Sequence, residues 1–239
     1  MSKGILIEFE GLDCSFKETN SKALVDYISK KTNRKCILID YPRYNNQSSY
    51  FVRQYLAGKY NPDPSKVNPD IASIAYAMDR YHDWMVNIKP IYDEGGIIVA
   101  DRYTISNMIF QCAKVDSPQK AGLIGRIIKL ENRTMRLPKP DIVLLMNQPY
   151  EVAVELMAEK ASKDDIHEEN NTYMKLVYHN YDYIRKLMSE NRIYNDCVSK
   201  VIDCSKDGLV RDKEDIFKDI TDFVDIEMKR LLKGEYENV

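Results

Sequence analysis

The segment Ile5-Leu6-Ile7-Glu8-Phe9-Glu10-Gly11-Leu12-Asp13-Cys14-Ser15-Phe16-Lys17-Glu18-Thr19 decides how the chain is read. The apolar run Ile5–Phe9 predicts a buried strand, the residues from Glu10 a phosphate loop, and the stretch that follows a helix start. A phosphate loop needs glycine so that backbone N–H groups can close round phosphate oxygens, and a lysine to reach the terminal phosphates. Gly11 and Lys17 stand at the right separation. Phe16 occupies the place of the second glycine, and Glu18 the place of the Ser or Thr hydroxyl that would hold magnesium. The strict pattern fails at two positions, so an ordinary strand-turn-helix stays open on this stretch alone.

Further along, short apolar runs alternate with helical spacing. Cys36–Ile39, Ile97–Ala100, Ile142–Met146 and Lys200–Ile202 predict four more strands. Between them, Leu24, Tyr27 and Ile28 predict a helix to about Lys31. Ile71, Ile74, Ala75, Met78, Tyr81, His82, Met85 and Ile88 predict a long one from Asp70 to about Glu94, with Pro90 either kinking its last turn or starting a new one. Helices are also expected over 106–112, 119–133, 150–160, 171–190 and 213–232, and Tyr60–Pro69 reads as a loop. The charged segment Ser162–Glu169, between two helices, suits a mobile lid. Strands alternating with helices argue an α/β fold, a five-stranded parallel sheet with helices on both faces. Nothing divides the 239 residues into separate units, so one domain is expected.

Composition narrows the function classes. A net charge of −2 with 30% charged residues argues against a general nucleic-acid binder. No apolar stretch approaches the ~20 residues that span a bilayer, and no signal-peptide order opens the chain, so no membrane partner and a cytoplasmic location are expected. Five cysteines without a CxxC pair fit reduced thiols.

Arg43 and Arg102 fall at strand C-terminal ends, where open parallel sheets bind ligands, and Arg80 lies on a helix able to face the same crevice. Guanidinium groups suit bidentate phosphate recognition, although each arginine is about as well explained by a surface ion pair. Tyr41 and Tyr44 either stack a base or pack, and Asp101 either orients magnesium or caps the next helix.

Taken together these pieces resemble the thymidylate kinases. Glu10-Gly11-Leu12-Asp13 with Lys17 is similar to that family's phosphate loop, Tyr41-Pro42-Arg43-Tyr44 to its Phe-Pro-Arg acceptor motif, and Asp79-Arg80 to its helix arginine. Asp101-Arg102-Tyr103 with Ser106-Asn107, and Leu137-Pro138-Lys139-Pro140-Asp141, continue the match in the same order. The resemblance implies a three-layer P-loop NTPase fold spanning 1–239, with a P-loop at 10–19 and a short lid at about 160–170. It implies transfer of the ATP γ-phosphoryl group to a deoxynucleoside monophosphate, dTMP giving dTDP, with Mg2+, in a cytoplasmic homodimer.

By position, Gly11, Cys14, Ser15, Phe16, Lys17, Glu18 and Thr19 would hold ATP. Lys17, Arg102, Asp101 and Asp13 would be catalytic, and Asp13, Glu18 and Asp101 would serve the metal. Tyr41, Arg43, Tyr44, Arg80, Arg102, Asn107, Phe110 and Glu168 would bind the acceptor: Arg43 and Arg102 its phosphate, Arg80 the pyrimidine edge, Tyr41 the base face. Three departures predict low ATP affinity or slow turnover. A left-handed Phe16 costs ~1–2 kcal/mol and crowds the nucleotide. Glu18 repels a triphosphate by roughly 4 kcal/mol per unit charge at about 4 Å, unless a cation lies between them. The arginine that this family places in the P-loop or lid is replaced by Cys14 in the loop, and the lid offers only Lys163. Two rival expectations follow, a kinase-like binding protein that has lost transfer and a kinase for another nucleoside monophosphate.

Overall fold

The computed structural model describes residues 3–160 and 170–232. Five strands, β1 (Ile5–Gly11), β2 (Cys36–Asp40), β3 (Ile97–Asp101), β4 (Ile142–Asn147) and β5 (Val198–Asp203), form one parallel sheet in the order β2-β3-β1-β4-β5. A hairpin of β6 (Ser205–Lys206) and β7 (Leu209–Val210) follows β5. The helices are α1 (Lys17–Ser29), α2 (Tyr50–Leu56), α3 (Pro69–Asp83), α4 (Lys89–Asp93), α5 (Thr104–Cys112), α6 (Ser117–Ile128), α7 (Tyr150–Lys160), α8 (Asn171–Ser189) and α9 (Lys213–Leu232).

β1 is the central strand because it is apolar enough to be buried on both faces. Ile7 lies opposite Val99 of β3 on one side and Ile142 of β4 on the other. The two-residue period of a strand sends Ile5, Ile7 and Phe9 to a core shared with Leu24 and Ile28 of α1 and Ile216, Ile220 and Val224 of α9. β4 divides in the same way: Leu144 joins that core, while Val143 and Leu145 join the one built by α5, α6 and α8. Helices therefore cover both faces. The same period puts Glu8 and Glu10 on the face turned toward α5, and this brings carboxylates under the site.

All five expected strands are present, as are the expected helices. The apolar stripe of α3 lies largely on the outer side of the helix. Ile71 is 57% exposed, and Ile74, Met78 and Met85 are exposed too, whereas Ala72, Ser73, Asp79, Arg80 and Asp83 are buried. Inward, the small residues Ala72 and Ala75 pack on Val52, Tyr55, Leu56 and Val67 of a minor apolar cluster, while Arg80 turns to the cleft. Of the two expectations for Pro90, the second holds: it starts a new helical turn rather than kinking one. The chain passes from α3 through a π-helical turn, Trp84–Ile88, into α4, with Pro90 in the first turn of α4, where its missing N–H costs least. Helix α2 and the β6–β7 hairpin have no counterpart in the sequence expectations.

Asn68 begins α3 with its side chain accepting from the N–H groups of Asp70 at 2.9 Å and Ile71 at 3.2 Å, followed by Pro69 at the first helical position. Asn68→Ala is expected to cost about 1 kcal/mol, seen as a fall of roughly 2–4 °C in the thermal midpoint; an unchanged midpoint would show that the cap does not hold α3.

Candidate active site

Two contiguous pockets open at the C-terminal ends of the strands. The outer one, about 590 Å³, is walled by Asp13–Thr19, Asp101 and Arg102. The inner one, about 140 Å³, is walled by Arg80, Ser106, Asn107, Phe110 and Gln111 among others. Asp13, Tyr41, Pro42, Tyr44 and Arg102 line both and form the passage between them.

The outer pocket is shaped by backbone. At Gly11 a Cβ would lie 2.6 Å from the carbonyl oxygen of Met146 and 2.8 Å from Ser15 Oγ, so the close approach of β1, β4 and the loop requires glycine. Cys14 and Phe16 both take left-handed φ angles, 59° and 63°. Phe16 precedes α1 without a side-chain cap, so the positive end of the helix carries N–H groups that its own side chains leave unsatisfied. Lys17 is buried, its Nζ donating to the Leu12 carbonyl at 2.6 Å and standing 4.0 Å from Asp13. Burial and the nearby Arg102 charge push its pKa down, against the pull of Asp13, Asp101 and Glu10.

Arg102 sits at the junction. It follows β3 with a φ of 66°, and its guanidinium donates to Glu10 at 3.0 Å and Asp13 at 2.6 Å while lying over the Phe110 ring, 5.2 Å from its centre. Burial alone would lower its pKa; Asp13 and Glu10 more than offset this, so the group stays charged. Glu10 is fully buried and also accepts from Gly11 N–H at 2.9 Å and from the Ser106 hydroxyl. Burial pushes the Asp101 carboxyl up, with Lys17 and Arg102 opposing. Asp101 does not cap α5, whose flanking residue is Tyr103. Glu8 does that work from β1 instead, accepting from Ile105 N–H at 3.0 Å.

In the inner pocket Arg80, 2% exposed, donates side-on to the Glu131 carboxylate through Nε at 2.7 Å and Nη2 at 2.8 Å. Asn107 Nδ2 donates to the same carboxylate at 2.8 Å and to the Ser73 carbonyl at 3.1 Å. Both partners are acceptors, so the amide orientation follows from chemistry: nitrogen faces Glu131 and Ser73. Asn107 Oδ1 is buried without a partner, as are both polar atoms of Gln111 on the same wall. Buried polar atoms left unpaired in this way mark where a ligand completes the network.

Some expected site residues are placed elsewhere. Arg43 lines neither pocket; buried Asp83, 2.8 Å from Nε, and Asp40, 2.8 Å from Nη1, hold it in an outer hollow. Charge pairing overrides its orientation toward the crevice. Tyr41 is a core residue whose hydroxyl donates to Asp83 at 3.0 Å, leaving part of its ring to the passage. Glu18 is exposed and paired with Lys22 at 2.6 Å. Phe16, although left-handed as expected, lines the outer pocket and also packs against the core between α1 and the sheet. Glu168 and the expected lid, including Lys163, lie outside the described residues. Sequence reasoning missed Glu131 and Glu8. For Glu131 a signal existed: it continues the buried spacing of Ile124 and Ile127, an acid where the period calls for an apolar residue.

Among the described residues no group of three His, Cys, Asp or Glu is arranged to hold a metal alone. Magnesium is commonly held by one or two carboxylates plus substrate phosphates, and Asp13 and Asp101 in the outer pocket fit that mode. Glu18, on the wall of the same pocket, is paired with Lys22.

The sequence model of the thymidylate kinase family matches residues 9–207. The chain belongs to the thymidylate kinase family. A probable thymidylate kinase of Pyrococcus horikoshii is 24% identical over 218 residues, covering 90% of this chain and 98% of that protein. The thymidylate kinase of Caenorhabditis elegans is 28% identical over 161 residues, 64% of this chain and 67% of that one. The fold is shared with thymidylate kinase from Candida albicans, at a TM-score of 0.68 and 19% identity over 98% of this chain and 95% of that one. Membership in the thymidylate kinase family makes the protein a phosphotransferase with nucleotide substrates. No helix among the described residues is long and apolar enough to cross a membrane.

Burial raises the pKa of Glu8 well above its ordinary value, with Glu10 and Glu131 adding to the rise and the Ile105 N–H and Arg80 opposing it. The folded protein therefore holds a proton that the unfolded chain releases above about pH 4.3, and the native state loses stability as pH rises from there. Glu8→Gln keeps an acceptor for Ile105 and removes the titration. The variant and the parent are expected to melt together near pH 4, with the variant increasingly the more stable toward pH 8; a gap independent of pH would contradict the raised pKa.

Proposed function

We propose that the protein transfers the γ-phosphoryl group of ATP to the 5′-phosphate of dTMP, giving ADP and dTDP. The observation that carries this reading is the order of donors and acceptors in the inner pocket. Arg80 offers N–H groups not used by Glu131, and Asn107 offers only Oδ1. A thymine edge presents the complement, a C4 carbonyl that accepts and an N3–H that donates. Cytosine presents an amino donor and a bare N3 acceptor and meets the pocket with like against like. Leaving such buried groups mispaired is how a polar pocket rejects a near isostere.

Phosphoryl transfer needs positioning and charge neutralisation more than covalent help. An acceptor phosphate oxygen forms a bond to the γ-phosphorus as the bond to the β-γ bridging oxygen breaks, and that oxygen leaves with ADP. Lys17 and the N-terminus of α1 are suited to the donor phosphates, and Arg102, facing both pockets, to the charge that passes between them. ATP-bound Mg2+, held by Asp13 and Asp101, would neutralise charge on the phosphates. For Lys17 to serve, its ammonium must exchange the Leu12 carbonyl for phosphate oxygen. Arg43 would have to leave Asp83 and Asp40 to reach an acceptor phosphate, so Arg102 carries that role in the arrangement described.

Steady-state assays with ATP, Mg2+ and a panel of nucleoside monophosphates test the reading. kcat/KM for dTMP is expected to exceed that for dCMP, and for dTMP methylated at N3, by about two orders of magnitude or more. Absence of product from dTMP with a folded sample would refute it.

The exposed face of α3 supports a homodimer. Ile71, Ile74 and Met78 share one side of the helix, with Met85 and Val86 exposed beyond them. A twofold axis lets two such faces cover each other with one self-complementary patch. Sedimentation is expected to show a dimer for the parent protein and a monomer for Ile74→Asp; a monomeric parent at working concentration would remove the partner.

A further inference from the structure

Glu131 lines neither pocket, yet both base-reading side chains end on it. Its Oε1 accepts from Arg80 Nη2 at 2.8 Å and from Asn107 Nδ2 at 2.8 Å, and its Oε2 from Arg80 Nε at 2.7 Å. We propose that Glu131 is the positioning residue that sets the pocket's choice between 4-oxo and 4-amino pyrimidines. The inference rests on the function proposed above and concerns what holds the readers rather than the readers themselves.

Neither reader has an intrinsic orientation. A primary amide turned by half a rotation exchanges its oxygen and nitrogen with almost no change in shape, so Asn107 alone would greet a 4-oxo or a 4-amino edge equally. A guanidinium on a long side chain likewise has several rotamers and donors in every in-plane direction. The carboxylate removes both freedoms. It has no N–H, so it admits only the nitrogen side of Asn107, and the Ser73 carbonyl at 3.1 Å excludes the flipped form a second time. Its two oxygens take Arg80 side-on, which fixes the plane of the guanidinium and leaves its far edge for the pocket. Because Oε1 is shared, donor and acceptor are set relative to each other and not merely each in place.

Glu131 is itself held. It lies on the π-helical turn Lys129–Thr134, and its backbone carbonyl accepts from Leu137 N–H at 2.9 Å. The neighbouring Asn132 donates to the Leu137 carbonyl at 3.1 Å and accepts from the Tyr194 hydroxyl at 2.8 Å. Arg80, Asn107 and Glu131 are all buried, so water does not compete for these bonds.

Glu131→Gln tests the assignment. A glutamine has one acceptor and one NH2 group, so whichever way it turns, an N–H faces an N–H of Arg80 and the side-on grip is lost. The ratio of kcat/KM for dTMP over dCMP is expected to fall about tenfold or more, chiefly through a higher KM for dTMP, with the KM for ATP steady within about twofold. A role in stability alone would lower both acceptors alike and leave the ratio unchanged. Should the glutamine variant fail to fold, because Arg80 is then buried without its counter-charge, Glu131→Asp is the variant to measure. It keeps the charge but is one methylene too short to hold Arg80 and Asn107 together, and the same fall in the ratio is expected. An unchanged ratio in a folded variant of either kind, beside a parent enzyme that prefers dTMP, overturns this inference and leaves the proposed function standing. A parent enzyme that phosphorylates dTMP without that preference overturns this inference alone, and a folded parent that gives no product from dTMP overturns both.

Discussion

The structure depends on the cost of burying charge. Four carboxylates, Glu8, Glu10, Asp83 and Glu131, are fully shielded from solvent around one cleft. A buried carboxylate that is neither paired nor hydrogen-bonded would destabilise the fold by several kcal/mol or take up a proton. Each has a different solution. Glu10 is met by Arg102, Ser106 and its neighbour's N–H, Glu131 by Arg80 and Asn107, and Asp83 by Arg43, Tyr41 and Asn87. Glu8, whose pKa burial pushes up, accepts from the Ile105 N–H at the start of α5. Arg102 and Arg80, suited to nucleotide chemistry, are therefore also the groups that make buried Glu10 and Glu131 tolerable.

This double use explains what was legible in the sequence. The three central strands, β1, β3 and β4, announce themselves as short apolar runs because they are packed from both faces, and the order of the motifs leads to the family. Side-chain direction was less accessible. Helix α3 shows a regular apolar period, yet the period reports only that the apolar residues share a side, not that this side faces the protein's own core. Arg43 sits in the right motif, but the buried carboxylate that draws it away lies 40 residues on, in a segment whose polar residues read as solvent-facing. Glu131 and Glu8 carry no motif; Glu131 is an acid where the helical period asks for an apolar side chain, whereas Glu8 falls on the alternate face of a strand, where the two-residue period permits a polar residue.

The imperfections of the phosphate loop also look different with geometry in hand. Phe16 does adopt the strained backbone, but its ring helps to close the core under α1 as well as lining the outer pocket. Some of the conformational cost is offset by apolar burial that glycine would not provide. Glu18 extends to Lys22, where solvent screens it more strongly than the sequence-based repulsion assumed.

Lys17 leads to a further consequence. Its ammonium is bonded to the Leu12 carbonyl, so the loop is folded upon its own cation. Docking of a triphosphate would then be an exchange of one strong acceptor for another, with modest net gain from that contact. Under the proposed function such a loop would discriminate by multiplicity. A lone anion would offer too little to displace the carbonyl, whereas a chain of phosphates engaging the helix end, Lys17 and Arg102 together would outcompete it, and a diphosphate product, having lost one partner, would be released more readily.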